Sequence, residues 1–170
     1  MTDYRNRILG LEYINSGDLT SHTGNWRSHG AAQTEALRGV LKEVGIAGAL
    51  LAYRSARQGG ALVVIDGHLR KDAAPQQWPV LILDVNDQEA DMLLATHDPL
   101  AAMATADAGA LDALLSSVNS GEAAVQAMLS QLAVDAGIVA PEVDWKEYDE
   151  SAADDVEYNE CPECGHKWPK

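Results

Sequence analysis

Residues 63–74, VVIDGHLRKDAA, form an apolar run that ends in polar side chains suited to phosphate chemistry. The glycine at this corner lets the backbone approach a ligand closely, and free N–H groups at a following helix start favour an anion. Arg70 can hold two phosphate oxygens at once, His68 can donate a further hydrogen bond, and Lys71 adds positive charge. Asp66 can hold a metal ion that bridges phosphates, or accept a proton from a hydroxyl group. These residue types predict a phosphate-binding corner.

A structural role would suit the same residues. Asp66 can cap the helix that follows, because aspartate is a favoured residue at helix starts. His68 and Arg70 would then lie in solvent. The motif G-x-x-R is short, so the residues alone leave both interpretations open.

The loop GNWRSHG, residues 24–30, is a second polar cluster that can reach the same ligand. Asn25, Arg27 and His29 are the candidates in this loop for phosphate or nucleotide contacts. Trp26 can stack on a base or pack beneath the ligand. The alternative is that Trp26 fills the core and Asn25 shapes a turn.

A third candidate wall of the pocket is the Thr96-His97-Asp98 segment, which directly precedes Pro99. Thr96 and Asp98 are polar side chains that can reach a bound nucleotide. An ordinary helix cap at Asp98 would explain the same residues.

The carboxyl-terminal sequence CPECGHKW carries a metal-binding signal. In a C-P-x-C-G turn, backbone N–H groups point at the thiolates and glycine permits the tight bend. Cys161 and Cys164 are the only cysteines, and a structural Zn²⁺ ion needs four ligands. His166 is the expected third ligand, and the fourth must come from an acidic residue or from another subunit, which would make a homodimer. A metal-free, mobile tail is the alternative.

Composition limits the class of protein. The 170 residues carry a net charge of −14, with nine Lys/Arg and six Asp/Glu in residues 1–71 but three and twenty in residues 72–170. A broad basic face for duplex DNA is therefore not expected on a single chain, although a local anion site is. No apolar run approaches the roughly 20 residues of a membrane span, and the amino terminus lacks a secretion signal, so we expect a cytoplasmic protein.

The periodicity of apolar residues predicts the elements that must position these side chains. Asn86 and Glu89 have the spacing of a capping box, which should start one of the helices. We expect the Trp78-Pro79 pair to break the chain and Pro99 to interrupt the helix that contains it. Strands are predicted at residues 8–14, 47–54, 61–65 and 80–85, and helices around residues 37–44, 68–74, 87–95, 111–118 and 125–132.

The order of these elements predicts a small α/β or α+β domain followed by further segments. We expect the domain at residues 1–118, a helical extension at 119–140 and an acidic linker at 141–160. The linker carries nine acidic residues in twenty, which favours an extended or poorly ordered chain. A zinc-knuckle-like tail would follow at residues 161–170.

The order of GNWRSH, DGHLR and VLILDVNDQEADMLLATHDP along residues 7–118 resembles the ParB/sulfiredoxin-like superfamily. The closest resemblance is to stand-alone "ParB-like nuclease domain" proteins of phages and DNA-methyltransferase neighbourhoods. This resemblance implies a small mixed sheet with flanking helices. It also implies that Gly67, His68 and Arg70 contact the phosphates of a nucleotide, CTP in ParB and ATP in sulfiredoxin and free serine kinases. Asp66 would lie near a Mg²⁺ ion or the phosphate acceptor.

The function implied by the resemblance is nucleoside-triphosphate binding with hydrolysis or phosphate transfer, in a phage or DNA-modification setting. An NTPase or a kinase-like phosphotransferase is the corresponding enzyme, with Asp66 and His68 as catalytic candidates. Sulfinic acid repair is not expected, because sulfiredoxin's catalytic cysteine is missing from the motif. The alternatives are a non-catalytic accessory module of a DNA methyltransferase or terminase, and a metal-dependent nuclease. The acidic charge of the chain argues against the nuclease.

Overall fold

The computed structural model of the chain describes residues 3–139 and 158–169. The chain forms two compact units, residues 1–139 and 140–170. None of the helices described in either unit is long and apolar enough to cross a membrane.

The first unit is built on a mixed five-stranded sheet in the order β1-β5-β3-β4-β2. Strands β1 and β5 pair antiparallel, as do β3 and β4, whereas β3 pairs parallel with β5 and β2 parallel with β4. The small mixed sheet expected from the sequence is therefore confirmed. The strands are β1 Ile8–Asn15, β2 Thr20–Ser21, β3 Leu50–Ser55, β4 Ala61–Asp66 and β5 Gln77–Leu83.

Five helices accompany the sheet in residues 3–139, and the sequence predicted all five, three of them from the periodicity of apolar residues and one from its capping box. Gly45, with φ of 89°, follows the end of the first helix, where positive φ favours glycine. The helices are α1 Ala31–Glu43, α2 His68–Ala73, α3 Asp87–Ala102, α4 Ala108–Ser117 and α5 Ala123–Asp135.

The core lies on both faces of the sheet, because successive side chains of a strand point to opposite faces. One face buries Leu50, Val64 and Trp78 and packs against Leu41 of α1. The other face buries a cluster that includes Val63 and contacts α3. The sheet is thus a middle layer between α1 and α3.

Helix α5 packs on α1 within the same unit. The backbone at Gly39 is so close to α5 that an added Cβ would lie 2.7 Å from Cγ2 of the buried Val125. The Glu43 carboxylate accepts a hydrogen bond from the Ser120 hydroxyl at 2.8 Å, which holds the loop before α5. These contacts join α5 to α1.

Two expectations based on proline were wrong. Trp78 and Pro79 lie inside β5 and do not break the chain. Pro79 pairs with Tyr13 of β1, and the pairing of β5 with β3 begins only at Val80, so the missing N–H of Pro79 interrupts no bond to β3.

Pro99 lies inside α3, which continues to Ala102. The helix begins with the predicted capping box, in which Asn86 accepts a hydrogen bond from the Glu89 backbone N–H at 2.9 Å and Glu89 accepts one from the Asn86 N–H at 3.0 Å. A strong start and packing against the sheet outweigh the loss of one backbone hydrogen bond near the helix end.

The second unit is described at residues 158–169, where β6 Tyr158–Glu160 and β7 Lys167–Pro169 form an antiparallel hairpin. The last three residues of the predicted acidic linker are therefore in a strand, and the rest of that linker lies outside the described residues. The C-P-x-C-G turn connects the strands. Its hydrogen bonds run from the Gly165 N–H to the Cys161 carbonyl and from the Cys161 N–H to the His166 carbonyl, both at 2.9 Å.

Candidate functional site

A pocket of about 270 Å³ lies in the first unit where three segments meet. These segments are the loop at residues 24–30 with the first turns of α1, the corner between β4 and α2, and the carboxyl-terminal half of α3. The pocket thus gathers most of the side chains predicted to bind a ligand. Its lining consists of Asn25, Trp26, Arg27, His29, Gln33, Leu37, Ile65, Asp66, Gly67, His68, Leu69, Arg70, Leu94 and Asp98.

Gly67 forms the corner between β4 and α2. Its φ of 97° lies in the left-handed region, and a Cβ added there would lie 2.3 Å from Cδ2 of Leu50. Both the backbone angle and the available space therefore require glycine. The corner turns the chain so that the side chains before and after it face one pocket.

Arg70 is held across this corner. One guanidinium nitrogen donates to Oδ2 of Asp66 at 2.7 Å, and the other donates to the Ala49 carbonyl at 3.1 Å. The N-cap of α2 is Gly67, with no side-chain cap, so Asp66 does not cap this helix. Arg70 and Asp66 are both about three-quarters buried, which contradicts the alternative that placed Arg70 in solvent.

His68 is buried, with 7% of its surface exposed. Its Nε2 accepts a hydrogen bond from the backbone N–H of His22 at 3.3 Å. Burial lowers the pKa of the His68 imidazole below its ordinary value, so the ring is neutral at neutral pH. A neutral ring that accepts at Nε2 carries its proton on Nδ1, which leaves Nδ1–H as the donor available to a ligand.

His22 supports this arrangement and was not predicted as a site residue. It is buried, and its Nδ1 accepts a hydrogen bond from the Gly24 backbone N–H at 3.0 Å. Its Nε2 therefore carries the proton and lies 3.2 Å from Oδ1 of Asp91, close but poorly aligned for a hydrogen bond. Nothing in the local TSHTG sequence distinguishes this histidine, because its partners are distant along the chain.

The loop at residues 24–30 brings a second arginine into the pocket. Arg27 forms an ion pair with Asp98 of α3, with Nε 2.7 Å from Oδ2, and its guanidinium lies 4.8 Å from the ring centre of Trp26. Asn25 accepts a hydrogen bond from the Arg27 backbone N–H at 3.3 Å. Trp26 is 61% exposed, so the interpretation of Trp26 as a core residue was wrong.

His29 lies on the pocket wall with Gln33, a lining residue that was not predicted. His29 Nδ1 and Gln33 Oε1 are 3.0 Å apart; His29 lies two residues before α1 and Gln33 lies in its first turn. No sequence motif indicated Gln33 as a lining residue.

Lys71 and Thr96 are not among the side chains that line the pocket, contrary to prediction. Lys71 pairs with its neighbour Asp72, with Nζ 2.7 Å from Oδ1. The Thr96 hydroxyl donates to the Met92 carbonyl of its own helix at 2.8 Å. Thr96 was predicted beyond the end of a helix, but α3 continues through this position, where a threonine hydroxyl bonds readily to the preceding turn.

Across the described parts of the chain, one group of three side chains could hold a metal ion: Asp66, His97 and Asp98. One ligand atom from each lies within 4.8 Å of the other two. Carboxylate oxygens are the protein ligands that Mg²⁺ prefers, and two of the three side chains supply them. His97 belongs to the Thr96-His97-Asp98 segment that was predicted as a wall of the pocket, although it was not predicted as a metal ligand.

The cysteines of the second unit form a preorganised turn. The backbone N–H groups of Glu163 and Cys164 and the Cys164 thiol donate hydrogen bonds to the Cys161 sulfur, and these bonds lower the pKa of the Cys161 thiol. Cys164 is exposed. His166 was predicted as a ligand, but it forms no three-residue group with the two cysteines; its ring instead stacks with Trp168, with centres 6.3 Å apart.

Comparison with known proteins identifies the fold. The C-terminally truncated chromosome-partitioning protein ParB from Caulobacter crescentus, complexed with CTP-γ-S, has a TM-score of 0.54 at 15% identity, over 76% of this chain and 89% of that one. A Pnob8-like ParB-N domain has a TM-score of 0.43 at 18% identity, over 79% of this chain and 50% of that one. No protein-family model and no curated protein matches the sequence. The first unit has a ParB-like fold, which confirms the resemblance at the level of the fold.

Proposed function

We propose that this chain binds a nucleoside triphosphate, CTP or ATP, together with Mg²⁺ in the pocket of the first unit. The observation that carries the proposal is that Arg27 and Arg70, far apart in the chain, line one pocket. Guanidinium groups bind phosphate oxygens through two parallel hydrogen bonds, and two of them can hold a triphosphate. The similar fold of a ParB complexed with CTP-γ-S supports a nucleotide as the ligand.

The charges of the pocket suit an anion that brings its own cation. Arg70 is paired with Asp66, and Arg27 with Asp98. In a magnesium–triphosphate complex, phosphate oxygens accept hydrogen bonds from arginine while the metal ion accepts carboxylate oxygens. Binding would exchange the two salt bridges for new contacts and leave no charge of the pocket without a partner, which limits the cost of desolvation.

Mg²⁺ fits the carboxylates that converge in the pocket. Asp66 and Asp98 would hold it, with His97 beside them. The ion would neutralise negative charge that develops on the phosphates. The His68 Nδ1–H is the donor we assign to a phosphate oxygen. Asp66 would hold the ion or accept the proton of the attacking hydroxyl or water, which gives either hydrolysis or phosphate transfer.

We place this activity in a phage or DNA-modification process in the cytoplasm. The support is the resemblance of residues 7–118 to stand-alone ParB-like proteins of that setting. The net charge of −14 disfavours a broad DNA-binding face on one chain. A DNA-processing enzyme is therefore the partner we propose in preference to bare DNA.

One observation favours a second candidate, a nucleotide-binding accessory module without turnover. Asp66, the candidate base, is held in an ion pair with Arg70 at 2.7 Å, which suits a binding role better than proton transfer. Such a module would bind nucleotide and signal its presence to a partner enzyme.

Nucleotide binding with and without Mg²⁺ tests the proposal, measured by calorimetry with CTP and ATP alongside phosphate release. Arg70→Ala should weaken binding about ten- to a hundredfold, since a charge-assisted phosphate contact is worth roughly 1.5–3 kcal/mol. Arg54→Ala is the matched control, because Arg54 is an exposed arginine of β3 outside the pocket. The melting temperature of each variant establishes that it is folded.

Equal affinities of the Arg70→Ala and Arg54→Ala variants would contradict the phosphate site. A nucleotide affinity that does not depend on Mg²⁺ would contradict the assignment of the metal site but not that of the phosphate site. Binding without phosphate release, with and without DNA, would select the accessory module.

A further inference from the structure

We propose that the tail hairpin binds Zn²⁺ between two copies of this chain, each copy supplying Cys161 and Cys164 to a four-thiolate site. This inference concerns the second unit and does not depend on the nucleotide pocket. It rests on two features of the described tail: a turn built to hold two thiolates, and a ligand set that one described hairpin leaves incomplete.

The turn that carries the two cysteines is fixed by backbone hydrogen bonds. The Cys161 N–H donates a hydrogen bond to the His166 carbonyl at 2.9 Å, which ties the first cysteine to the residue after the turn. Gly165 has φ of 72°, which glycine adopts without strain, and its N–H closes the turn on the Cys161 carbonyl at 2.9 Å. The antiparallel pairing of β6 with β7 fixes both ends of the turn.

The hairpin supplies two of the four ligands that a structural zinc site uses. Among residues 3–139 and 158–169, the only convergent group of three or more ligating side chains is Asp66, His97 and Asp98, which lies in the other unit. His166 is directed instead toward Trp168. Two further ligands must therefore come from outside the described hairpin.

A second hairpin provides them with the right chemistry. Zn²⁺ prefers thiolate and imidazole over carboxylate in structural sites, and four thiolates form one of its common tetrahedral sets. Two identical turns related by a two-fold axis through the ion would place two sulfurs on each side of it, a closed isologous arrangement. Cys164 is exposed, so a second chain can approach it. The four-thiolate site is complete only in the dimer.

The test measures zinc content and molecular mass on the full chain, kept reduced and supplied with Zn²⁺. We expect half a zinc ion per chain, the mass of a dimer by light scattering, and loss of both after chelation. Cys164→Ser should abolish zinc binding and give a monomer. His166→Ala is the matched control and should retain both zinc and dimer.

The inference would be overturned by one zinc ion per chain in a monomer, by no zinc in the reduced protein, or by a dimer that persists in the Cys164→Ser variant after chelation. Loss of zinc in the His166→Ala variant would likewise overturn it, because it would return His166 to the ligand set. Far-ultraviolet circular dichroism of both variants establishes that the chain is folded in each case. Nucleotide affinity, measured on the same samples, separates failure of this inference from failure of the proposed pocket.

Discussion

At the scale of single residues, the corner of the pocket depends on a position where a side chain has no room. Gly67 combines a left-handed backbone with close contact to Leu50. The same position sets the direction of Asp66 before it and of His68 after it. A change at Gly67 should therefore affect both stability and the pocket.

Gly67→Ala should lower the free energy of unfolding by about 2–5 kcal/mol. Roughly 1–2 kcal/mol comes from the left-handed backbone and about 1–3 kcal/mol from overpacking against Leu50. Gly59→Ala is the matched control: Gly59 has φ of 65° but nothing within 4 Å of an added Cβ, so only the backbone cost applies. Urea unfolding of both variants checks the difference, and equal losses would show that Leu50 moves aside freely.

At the scale of elements, α3 carries Asp98 into the pocket, and its start is anchored by an ion pair. Arg7 donates two hydrogen bonds to the Glu89 carboxylate, at 2.8 and 2.7 Å. The Arg7 guanidinium, together with the Asn86 N–H, lowers the pKa of Glu89 to about 2 from its ordinary 4.5. The capping box and the segment before β1 are thus joined by one charged carboxylate.

This lowered pKa predicts a pH dependence of stability. A carboxylate whose pKa is lower in the folded than in the unfolded chain stabilises the fold above the unfolded value and loses that effect as pH falls. Its contribution should be complete above about pH 4.5 and disappear toward pH 2. Glu89→Gln, which keeps an oxygen acceptor without the charge, should melt below the wild-type protein at pH 6 and approach it near pH 2.

Melting temperatures of both proteins between pH 2 and 6 measure this effect, and Glu12→Gln controls for the loss of an exposed acidic charge in β1. A difference between Glu89→Gln and wild type that stays constant over the whole range would show that the ion pair does not determine it.

At the scale of the whole molecule, α5 belongs to the same unit as the sheet because it packs on α1. Val125 is 5% exposed at this contact, close to the α1 backbone at Gly39. Helix α1 in turn covers the sheet face that buries Trp78. Loss of packing at Val125 should therefore also destabilise the sheet.

Val125→Ala should lower the free energy of unfolding by about 1–3 kcal/mol, because it removes buried methyl groups and leaves a cavity. Val44→Ala, at a valine that is 70% exposed, should change it by less than about 0.5 kcal/mol. Unfolding of the Val125→Ala variant should show one transition whether it is followed by circular dichroism, which reports helix content, or by tryptophan fluorescence, which reports the sheet core. Separate transitions would show that α5 folds independently of the sheet.

Features that depend on neighbouring residues could be predicted from the sequence. The capping box of Asn86 and Glu89 needs only four consecutive residues, and the Gly67 corner follows from an apolar strand that ends at a glycine. The periodicity of apolar residues likewise predicted α1, α4 and α5, because side-chain direction repeats with a fixed period along a helix.

The tertiary structure alone decided the contacts between distant segments. Arg27 meets Asp98, and the His68 ring meets the His22 backbone, because the sheet and α3 bring separate loops to one pocket. Pro79 and Pro99 were predicted to break their elements, because proline lacks the N–H that donates a backbone hydrogen bond. That prediction did not include the stabilisation that surrounding structure provides. Each is tolerated because neighbouring strands or helical turns already stabilise the backbone around it, and that stabilisation comes from packing energy that no short stretch of sequence contains.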